Sequence, residues 1–465
     1  MQSLMRLHFF VGGNMIQLVE KINAFIWGVP ALVCILGVGI YLSIRTGFLQ
    51  IRLLPKAVMH FCSSFRKHSG TSGVSSYRAV CTALAATVGT GNLAGVAGAI
   101  CIGGPGAIFW MWLCGLLGMM LKFAEVTLAV CYRRKNDHGE WIGGPMYMIC
   151  DGMGKQYQWM AGVYCFFGVV AAFGVGNATQ INTVVGSVNG VLQNYGIAQS
   201  HLMNGAMGFV MALLICAMLR GGASRIGSAA EKLVPFASLL YILLGIGVLV
   251  LRYDQIPAAF SKIISGAFSP QAVTGGAVGS AFVGLRVGAS RGVFTNEAGM
   301  GTASIAHAGA NVTSAAEQGL MGIVEVFLDT IVICTVTALV ILCSGVPIGY
   351  GVDAGIQLTT RAFTGIYGDW VGILIAVALC CFAFATVLGW GLYGGRCAQY
   401  LFGDGVWKIF VWIQGIFVVI GAVMNNGVLW MLSETVNGLM AIPNLIAIFA
   451  LSPVLIKTIK TSVHR

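Results

Sequence analysis

The chain is a series of long apolar stretches separated by short polar segments. A helix of about 20 mostly apolar residues spans the hydrocarbon core of a bilayer, and eleven stretches meet that requirement. They cover residues 16–44, 77–103, 105–132, 157–185, 203–219, 232–251, 271–307, 317–343, 368–398, 405–424 and 428–455. The pattern predicts an all-α polytopic membrane protein with about 11 transmembrane helices.

The second and seventh stretches differ from the others because glycine and polar residues interrupt their centres. The second contains the run Gly89-Thr-Gly-Asn92, and the seventh is both too long for one straight span and rich in polar residues between 284 and 303. Glycine-interrupted helices at matching positions in two halves of a chain are typical of transporter binding sites. We therefore expect both helices to be broken.

The spacing of these two helices predicts an inverted repeat. After the first helix, ten remain, and the interrupted helices open each group of five. Because five is odd, the two groups must cross the membrane in opposite directions. The predicted organisation is an extra helix and basic loop over 1–76, a first repeat over 77–252, and an inverted second repeat with a tail over 253–465.

Composition supports a membrane protein and excludes a soluble one. Hydrophobic residues make up 57% of the 465 residues and charged residues only 9%, whereas soluble domains carry roughly 25% charged residues. The net charge of +11 does not indicate nucleic-acid binding, because the basic residues concentrate in alternate loops. No Cys-x-x-Cys or His-Glu-x-x-His spacing and no P-loop is present, so the sequence favours neither an enzyme nor an ATP-driven pump.

The lysines and arginines predict the orientation of the chain. If the loop after the first helix is cytoplasmic, 18 of the 26 basic residues fall on that side. Five fall on the other: Arg6, Lys21, Arg252, Lys262 and Arg361. Positive charge accumulates on cytoplasmic loops. We expect a protein of the cell inner membrane with its N-terminus outside and its C-terminus in the cytoplasm.

The first interruption supplies groups that could bind ions and anions. Unwinding around Gly89 and Gly91 frees backbone N–H groups for a carboxylate and C=O groups for a cation. The Thr90 hydroxyl and the Asn92 amide oxygen add hard ligands. Close packing by small residues is the alternative explanation.

The seventh stretch adds Ser290, Thr295, Asn296 and Gly299 as candidate substrate contacts. Charges inside a membrane cost about 2.5–3.5 kcal/mol each even on insertion scales. The presence of Glu297 in this stretch therefore requires an explanation. A structural salt bridge is one explanation, and a role as a coupling charge is the other.

Other helices carry polar residues near mid-span. Asn177 and Gln180 are three apart and predict one polar face, which either contacts substrate or joins helices. Asp329 either neutralises Arg286 or Arg291 or serves ion coupling. Lys122 and Glu125, also three apart, predict a local ion pair.

Three motifs resemble those of the alanine or glycine:cation symporter family, the sodium:alanine symporters. They are Gly89-Thr-Gly-Asn-Leu-Ala-Gly95, Gly143-Gly-Pro-Met-Tyr147 and Phe294-Thr-Asn-Glu-Ala-Gly-Met-Gly301. The resemblance extends over nearly the whole chain. It implies sodium-coupled uptake of small neutral amino acids, chiefly alanine and glycine. It also implies a leucine-transporter-type fold of five plus five helices with one extra N-terminal helix.

The resemblance also assigns roles. Backbone N–H groups near Gly89 and Gly91 would meet the substrate carboxylate, and Asn92 would lie near Na⁺. Without the resemblance, Thr386 is interpreted as a structural residue that bonds to its own helix. The resemblance implies that Thr386 is a candidate ion or substrate ligand and that Ala85 and Val88 contribute carbonyls to an ion site. Proton coupling through intramembrane carboxylates, and preference for glutamine or D-alanine, remain alternatives, and the oligomeric state stays open.

Overall fold

The computed structural model describes residues 21–23, 25–27, 29–66, 74–137, 139–276, 278–352, 355–424 and 426–463. The α-helices of its first half are α1 Val29–Arg45, α2 Leu49–Arg52, α3 Leu54–Arg66, α4 Ser76–Thr87, α5 Val96–Gly103, α6 Ala107–Cys131, α7 Pro145–Tyr147, α8 Gln158–Phe173, α9 Thr179–Asn194, α10 His201–Leu219 and α11 Gly222–Leu251. A small antiparallel hairpin pairs β1 Arg134–Lys135 with β2 Trp141–Ile142.

The second half is also helical. It contains α12 Ile256–Phe268, α13 Pro270–Thr274, α14 Ala281–Asn296, α15 Thr302–Ala308, α16 Ala315–Val326, α17 Thr335–Cys343, α18 Gly355–Tyr367, α19 Val371–Phe402, α20 Trp407–Val423, α21 Asn426–Ala450 and α22 Ser452–Val463. Short π-helical segments at Gly91–Gly95, Gly174–Ala178 and Phe327–Cys334 join α4 to α5, α8 to α9 and α16 to α17.

The described helices confirm an integral membrane architecture. Seven continuous helical segments, two of which include a π segment, are long and apolar enough to cross a bilayer, and the number rises to nine if each of two bent pairs is counted as one span. The predicted helix at 16–44 corresponds to α1, although residues 16–20 and Arg6 lie outside the described residues. The seventh predicted stretch corresponds to the pair α14 and α15. The total of eleven spans and the inverted repeat stay predictions.

Both predicted interruptions are present as breaks. Helix α4 ends at Thr87, Val88 is extended with φ −76° and ψ 107°, and the axis bends by 48° before α5. Helix α14 ends at Asn296, and Glu297, Gly299 and Gly301 then adopt positive φ before α15 begins. Glycine tolerates positive φ without a steric penalty, so the Gly-rich sequence allows this second break.

Burial identifies an inner and an outer layer. Helix α6 is almost entirely enclosed and packs against α14 and α16, while α19 packs against α4, α8 and α11. The apolar faces of α10 and α11 point outward, with Phe209, Leu213, Leu239 and Leu243 more than half exposed. Such continuous apolar surface is suited to lipid contact. The two breaks therefore lie among inner helices, and their residues, 88–91 and 297–301, are buried.

Close helix contacts depend on glycine at particular positions. A Cβ atom on Gly421 of α20 would lie 2.5 Å from Ala178 Cα, in the π segment between α8 and α9. Asn182 also donates from Nδ2 to the Gly421 carbonyl at 3.1 Å. Backbone on both sides prevents local adjustment, so this contact fixes how α20 packs on α8 and α9.

We expect Gly421→Ala to destabilise the protein by about 1–3 kcal/mol, because the added methyl group overpacks a backbone contact. The measurement is the apparent melting temperature of purified protein in detergent. Gly190→Ala is the matched control, since Gly190 lies in helix α9 with no atom within 4 Å of its ideal Cβ position. Equal melting temperatures for the two variants would contradict the contact.

Candidate functional site

The first break is held open by a side chain from its own loop. The Gly89 N–H donates to Asn92 Oδ1 at 2.8 Å, which satisfies a donor that the helix has lost. A Cβ atom on Gly89 would lie 2.8 Å from Thr386 Oγ1 and 3.4 Å from Gln180 Oε1. Glycine is therefore required at position 89 for the break to approach α9 and α19 this closely.

Oxygen atoms converge where the first break meets α19. Thr386 Oγ1 lies 2.9 Å from the Ala85 carbonyl oxygen of α4 and 2.9 Å from the Phe382 carbonyl oxygen. A hydroxyl has one proton, so it cannot donate fully to both carbonyls. Hydroxyl and carbonyl oxygens are the hard ligands that alkali and alkaline-earth cations prefer. The structure thus brings Ala85 and Thr386 together, just before the extended residue Val88.

The buried carboxylate of Asp329 connects the two breaks. Asn92 Nδ2 donates to Asp329 Oδ1 at 2.7 Å, and Thr330 Oγ1 donates to Asp329 Oδ2 at 2.9 Å. On the other side, Asn296 Nδ2 donates to Thr330 Oγ1 at 3.0 Å. Asp329 lies in the π segment between α16 and α17, which packs against the first π segment and α14. One hydrogen-bonded chain therefore runs from Asn92 to Asn296.

Asp329 is not neutralised by the arginines of α14. Arg291 instead pairs with Glu434 of α21, with Nη1 and Oε1 2.6 Å apart, and Arg286 is exposed. Neutralisation of Asp329 by either arginine, one of the two sequence-based alternatives, is therefore wrong. Within the described part of the chain, no basic side chain lies within 4 Å of the Asp329 carboxylate.

The two amides of the fourth predicted helix meet different neighbours. Gln180 Oε1 accepts from Thr90 Oγ1 at 3.0 Å and so faces the first break. Asn177 Nδ2 donates to the Gln414 carbonyl of α20 at 2.8 Å, while its Oδ1 is buried without a partner among the described residues. The π segment at Gly174–Ala178 alters the angular spacing between the two residues. The structure thus brings Gln180, but not Asn177, to Thr90.

The remaining candidates lie along α14 and the second break. The Thr295 methyl group faces Gly91, whose Cβ would lie 3.2 Å from it, and the Gly299 carbonyl accepts from Asn444 at 2.9 Å. Ser290 is half-buried on α14. It lies in a Gly-x-Ser-x-Gly run, Gly288–Gly292, but this run is inside a continuous helix, whereas a nucleophile elbow requires a strand-to-helix turn.

Charged residues also surround the second break. Lys122 pairs with Glu325 of α16 at 3.2 Å, so the predicted local pair with Glu125 is wrong. Glu125 instead accepts from the Gly301 N–H at 3.1 Å and from Asn444 Nδ2 at 2.8 Å. Glu297 accepts from Thr302 Oγ1 at 2.5 Å. Asn444 and Thr330 were not predicted from the sequence. Each is a single polar residue near the middle of an apolar stretch, which is only a weak indication of a functional position.

Comparisons with known proteins give the family and the fold of the chain. A family model described as the sodium:alanine symporter family matches residues 13–464. The sodium/alanine symporter AgcS of Methanococcus maripaludis is 40% identical over 96% of this chain and 97% of its own length. A probable sodium/glutamine symporter, GlnT of Bacillus subtilis, is 35% identical over 96% of this chain and 91% of its own.

A solved structure shares the fold. The crystal structure of MhsT in complex with L-phenylalanine aligns with a TM-score of 0.56 at 14% identity, covering 84% of this chain and all of the other. At that identity the likeness concerns the fold alone. The match to the family model over nearly the whole chain is decisive for classification: the chain is a transporter, not an enzyme, and it belongs to the sodium:alanine symporter family.

Proposed function

We propose that this protein is a sodium-coupled symporter that carries small neutral amino acids, chiefly alanine and glycine, into the cytoplasm by alternating access. The observation that carries the proposal is the Asp329 carboxylate, which is fully buried between the two broken helices with no basic partner among the described residues. Because an isolated buried carboxylate is costly, this position favours binding of a cation. Sodium is the cation that the family name supplies.

Sodium ligands are available at two places along the first break. Asn92 and Asp329 lie side by side, and a cation bound by their side-chain oxygens would replace the hydrogen bond from Asn92 Nδ2 to Asp329 Oδ1. The carbonyls of Ala85 and Val88 and the hydroxyl of Thr386 offer a second set between α4 and α19. Both sets contain only oxygen, which suits Na⁺. We assign both as candidate ion sites, with Asp329 as the coupling charge.

The substrate carboxylate would meet the backbone of the first break. Gly89, Thr90 and Gly91 lie at its centre, where N–H groups leave the regular helical pattern. Gln180 reaches this region through Thr90. Thr295 and Asn296 approach from α14 and could orient the ammonium group, with Ser290, Asn177 and Gly299 as further candidates.

The first break is closely packed in this conformation, and we infer that it takes a small substrate. The site is bordered by Thr386 Oγ1 at 2.8 Å from the ideal Gly89 Cβ position and by Thr295 and Phe294 at 3.2 and 3.5 Å from that of Gly91. Closely packed surroundings penalise extra methylene groups by about 1–3 kcal/mol. Alanine and glycine therefore fit the proposal better than leucine or phenylalanine.

A cavity of about 380 Å³ provides a route of release. Its lining includes Thr82 of α4, Ile305 of α15, Leu392 of α19 and the hairpin residues Lys135 and Glu140. Thr82 is one turn before Ala85, so the cavity approaches the proposed ion site. With the predicted orientation, N-terminus outside and C-terminus inside, this cavity opens to the cytoplasm.

We expect purified protein in proteoliposomes to concentrate labelled alanine when an inward Na⁺ gradient is imposed. Alanine uptake should stop when choline replaces Na⁺. Unlabelled glycine should compete and leucine should not. Uptake that continues when choline replaces Na⁺, but that requires a pH gradient, would contradict sodium coupling. Stronger competition by glutamine or D-alanine than by L-alanine would retain symport but overturn the proposed substrate.

We expect Asp329→Asn to reduce Na⁺-driven alanine uptake at least about tenfold, because the cation would lose a charged ligand that contributes more than about 1.4 kcal/mol. The measurement is the initial uptake rate at fixed Na⁺. Glu317→Gln, at an exposed carboxylate of the same predicted span, is the matched control and should transport normally. Unchanged uptake in folded Asp329→Asn would remove Asp329 from the coupling mechanism.

We expect Thr386→Val to raise the Na⁺ concentration for half-maximal uptake about tenfold, since it removes one oxygen ligand while preserving shape. The maximal rate at saturating Na⁺ should change less than this concentration. Thr458→Val serves as control, because Thr458 Oγ1 bonds to the Val454 carbonyl of its own helix. An unchanged Na⁺ dependence in Thr386→Val would argue against the site between α4 and α19.

A further inference from the structure

The second break is surrounded by more carboxylates than cations. Glu125 of α6, Glu297 of the break and Glu325 of α16 are all buried, with exposed fractions of 0–2%. The facing basic groups are Lys122 and His307, both fully buried. The number of carboxylates and basic groups in this cluster determines whether it must bind additional positive charge.

His307 lies in a chain of hydrogen bonds between Gln318 and Glu325. Ser76 Oγ donates to Gln318 Oε1 at 2.6 Å, which leaves Gln318 Nε2 to donate to His307 Nδ1 at 2.8 Å. His307 Nε2 faces Glu325 Oε2 at 3.2 Å. The basic ring therefore faces Glu325, and not Glu125 or Glu297.

Lys122, the other basic group of the cluster, pairs with the same carboxylate, Glu325. Their side-chain atoms are 3.2 Å apart, and Lys122 packs closely against Gly322 one turn before Glu325. Within the described residues, neither Glu125 nor Glu297 has a basic group within 4 Å. Both carboxyl groups nevertheless contact adjacent residues of the break, Gly301 and Thr302.

Several buried polar atoms around these carboxyl groups have no hydrogen-bond partner in the described part of the chain. They are Glu125 Oε2, Asn444 Oδ1, Tyr164 Oη of α8 and Tyr393 Oη of α19. Asn444 lies inside the cluster, because its Nδ2 donates to Glu125 Oε1 and to the Gly299 carbonyl. The Gly301 N–H also donates to Oε1, so Oε2 is the oxygen of Glu125 that can carry a proton.

We propose that Glu125 and Glu297 form a proton-binding site that holds at least one proton while the second break has this conformation. If Glu125 and Glu297 were both ionised, the cluster would hold three negative charges against at most two positive ones, and buried charges without partners are neutralised by protonation. This site is separate from Asp329 and from the proposed sodium ligands. It makes the proton a ligand that stabilises the second break.

The cytoplasmic cavity offers a path for proton exchange. Its lining residues Ile305 and Ala306 lie on α15 within about one turn of Thr302, and Leu392 is the neighbour of Tyr393. Water in the cavity therefore comes close to the cluster from the cytoplasmic side. When the break opens toward the cavity, the proton can leave.

Infrared spectroscopy of purified protein tests the proposal directly. We expect a carboxylic-acid C=O stretching band at neutral pH that shifts in D₂O and is lost or reduced in Glu125→Gln or Glu297→Gln. Absence of this band from the wild-type spectrum would overturn the proposal. A band that survives both substitutions and disappears only in Asp329→Asn would overturn it too, because the proton would belong to the other site.

The melting temperature provides a second readout. A site that binds a proton only in the folded state loses its stabilising effect as the pH rises. The wild-type melting temperature should therefore fall between about pH 5 and about pH 9, and the glutamine variants, which mimic the protonated acid, should show a smaller fall. Identical pH profiles for wild-type and variants would contradict the proposal.

Glu325→Gln is the matched control for these variants. It leaves Lys122 buried without its carboxylate, so it should lower the melting temperature by several degrees at every pH, unlike Glu125→Gln. The spectra and melting profiles do not require transport. Failure of sodium-dependent uptake would therefore leave this test intact, and failure of this test would leave the proposed symport standing.

Discussion

Backbone groups released inside the membrane constrain the whole structure. Lipid cannot bond the N–H and C=O groups that a broken helix exposes, so other side chains must do so. Asn92 accepts from Gly89 at the first break. At the second break, Asn444 donates to the Gly299 carbonyl and Glu125 accepts from Gly301. The two breaks exist because inner helices carry polar groups at those depths.

The same groups are suited to bind a transported ion or amino acid. The Asn92 amide oxygen satisfies Gly89, while its nitrogen bonds to Asp329. A cation that coordinates Asn92 and Asp329 must rearrange these bonds, and an amino acid bound at Gly89 would change the same donors. Mutual dependence of this kind is a coupling free energy, which is equal in both directions. In the proposed symport, the ion and the amino acid are coupled because both would bind to groups that are connected through Asn92.

Hydropathy and glycine content were sufficient to predict the membrane class and both breaks. The position of the first break was predictable because Gly89 and Gly91 interrupt an apolar stretch, whereas the second could not be placed within the glycine-rich stretch from Gly288 to Gly299. Pairings between helices were not predictable. The three-residue spacing predicted an ion pair between Lys122 and Glu125. In the structure, Lys122 pairs with Glu325, which lies in a helix that is distant in the sequence. Local spacing describes one helix, whereas interhelical distance depends on close packing at residues such as Gly322.

The π segments explain another limit of sequence-based prediction. Regular spacing placed Asn177 and Gln180 on one face, yet one faces α20 and the other Thr90. Nothing in the side-chain pattern at Gly174–Ala178 specified the wider turn. A similar segment sets the position of Asp329 between the two breaks. The local winding of a few residues therefore decides which polar groups converge, and it turns a set of separately placed amides and carboxylates into one hydrogen-bonded site.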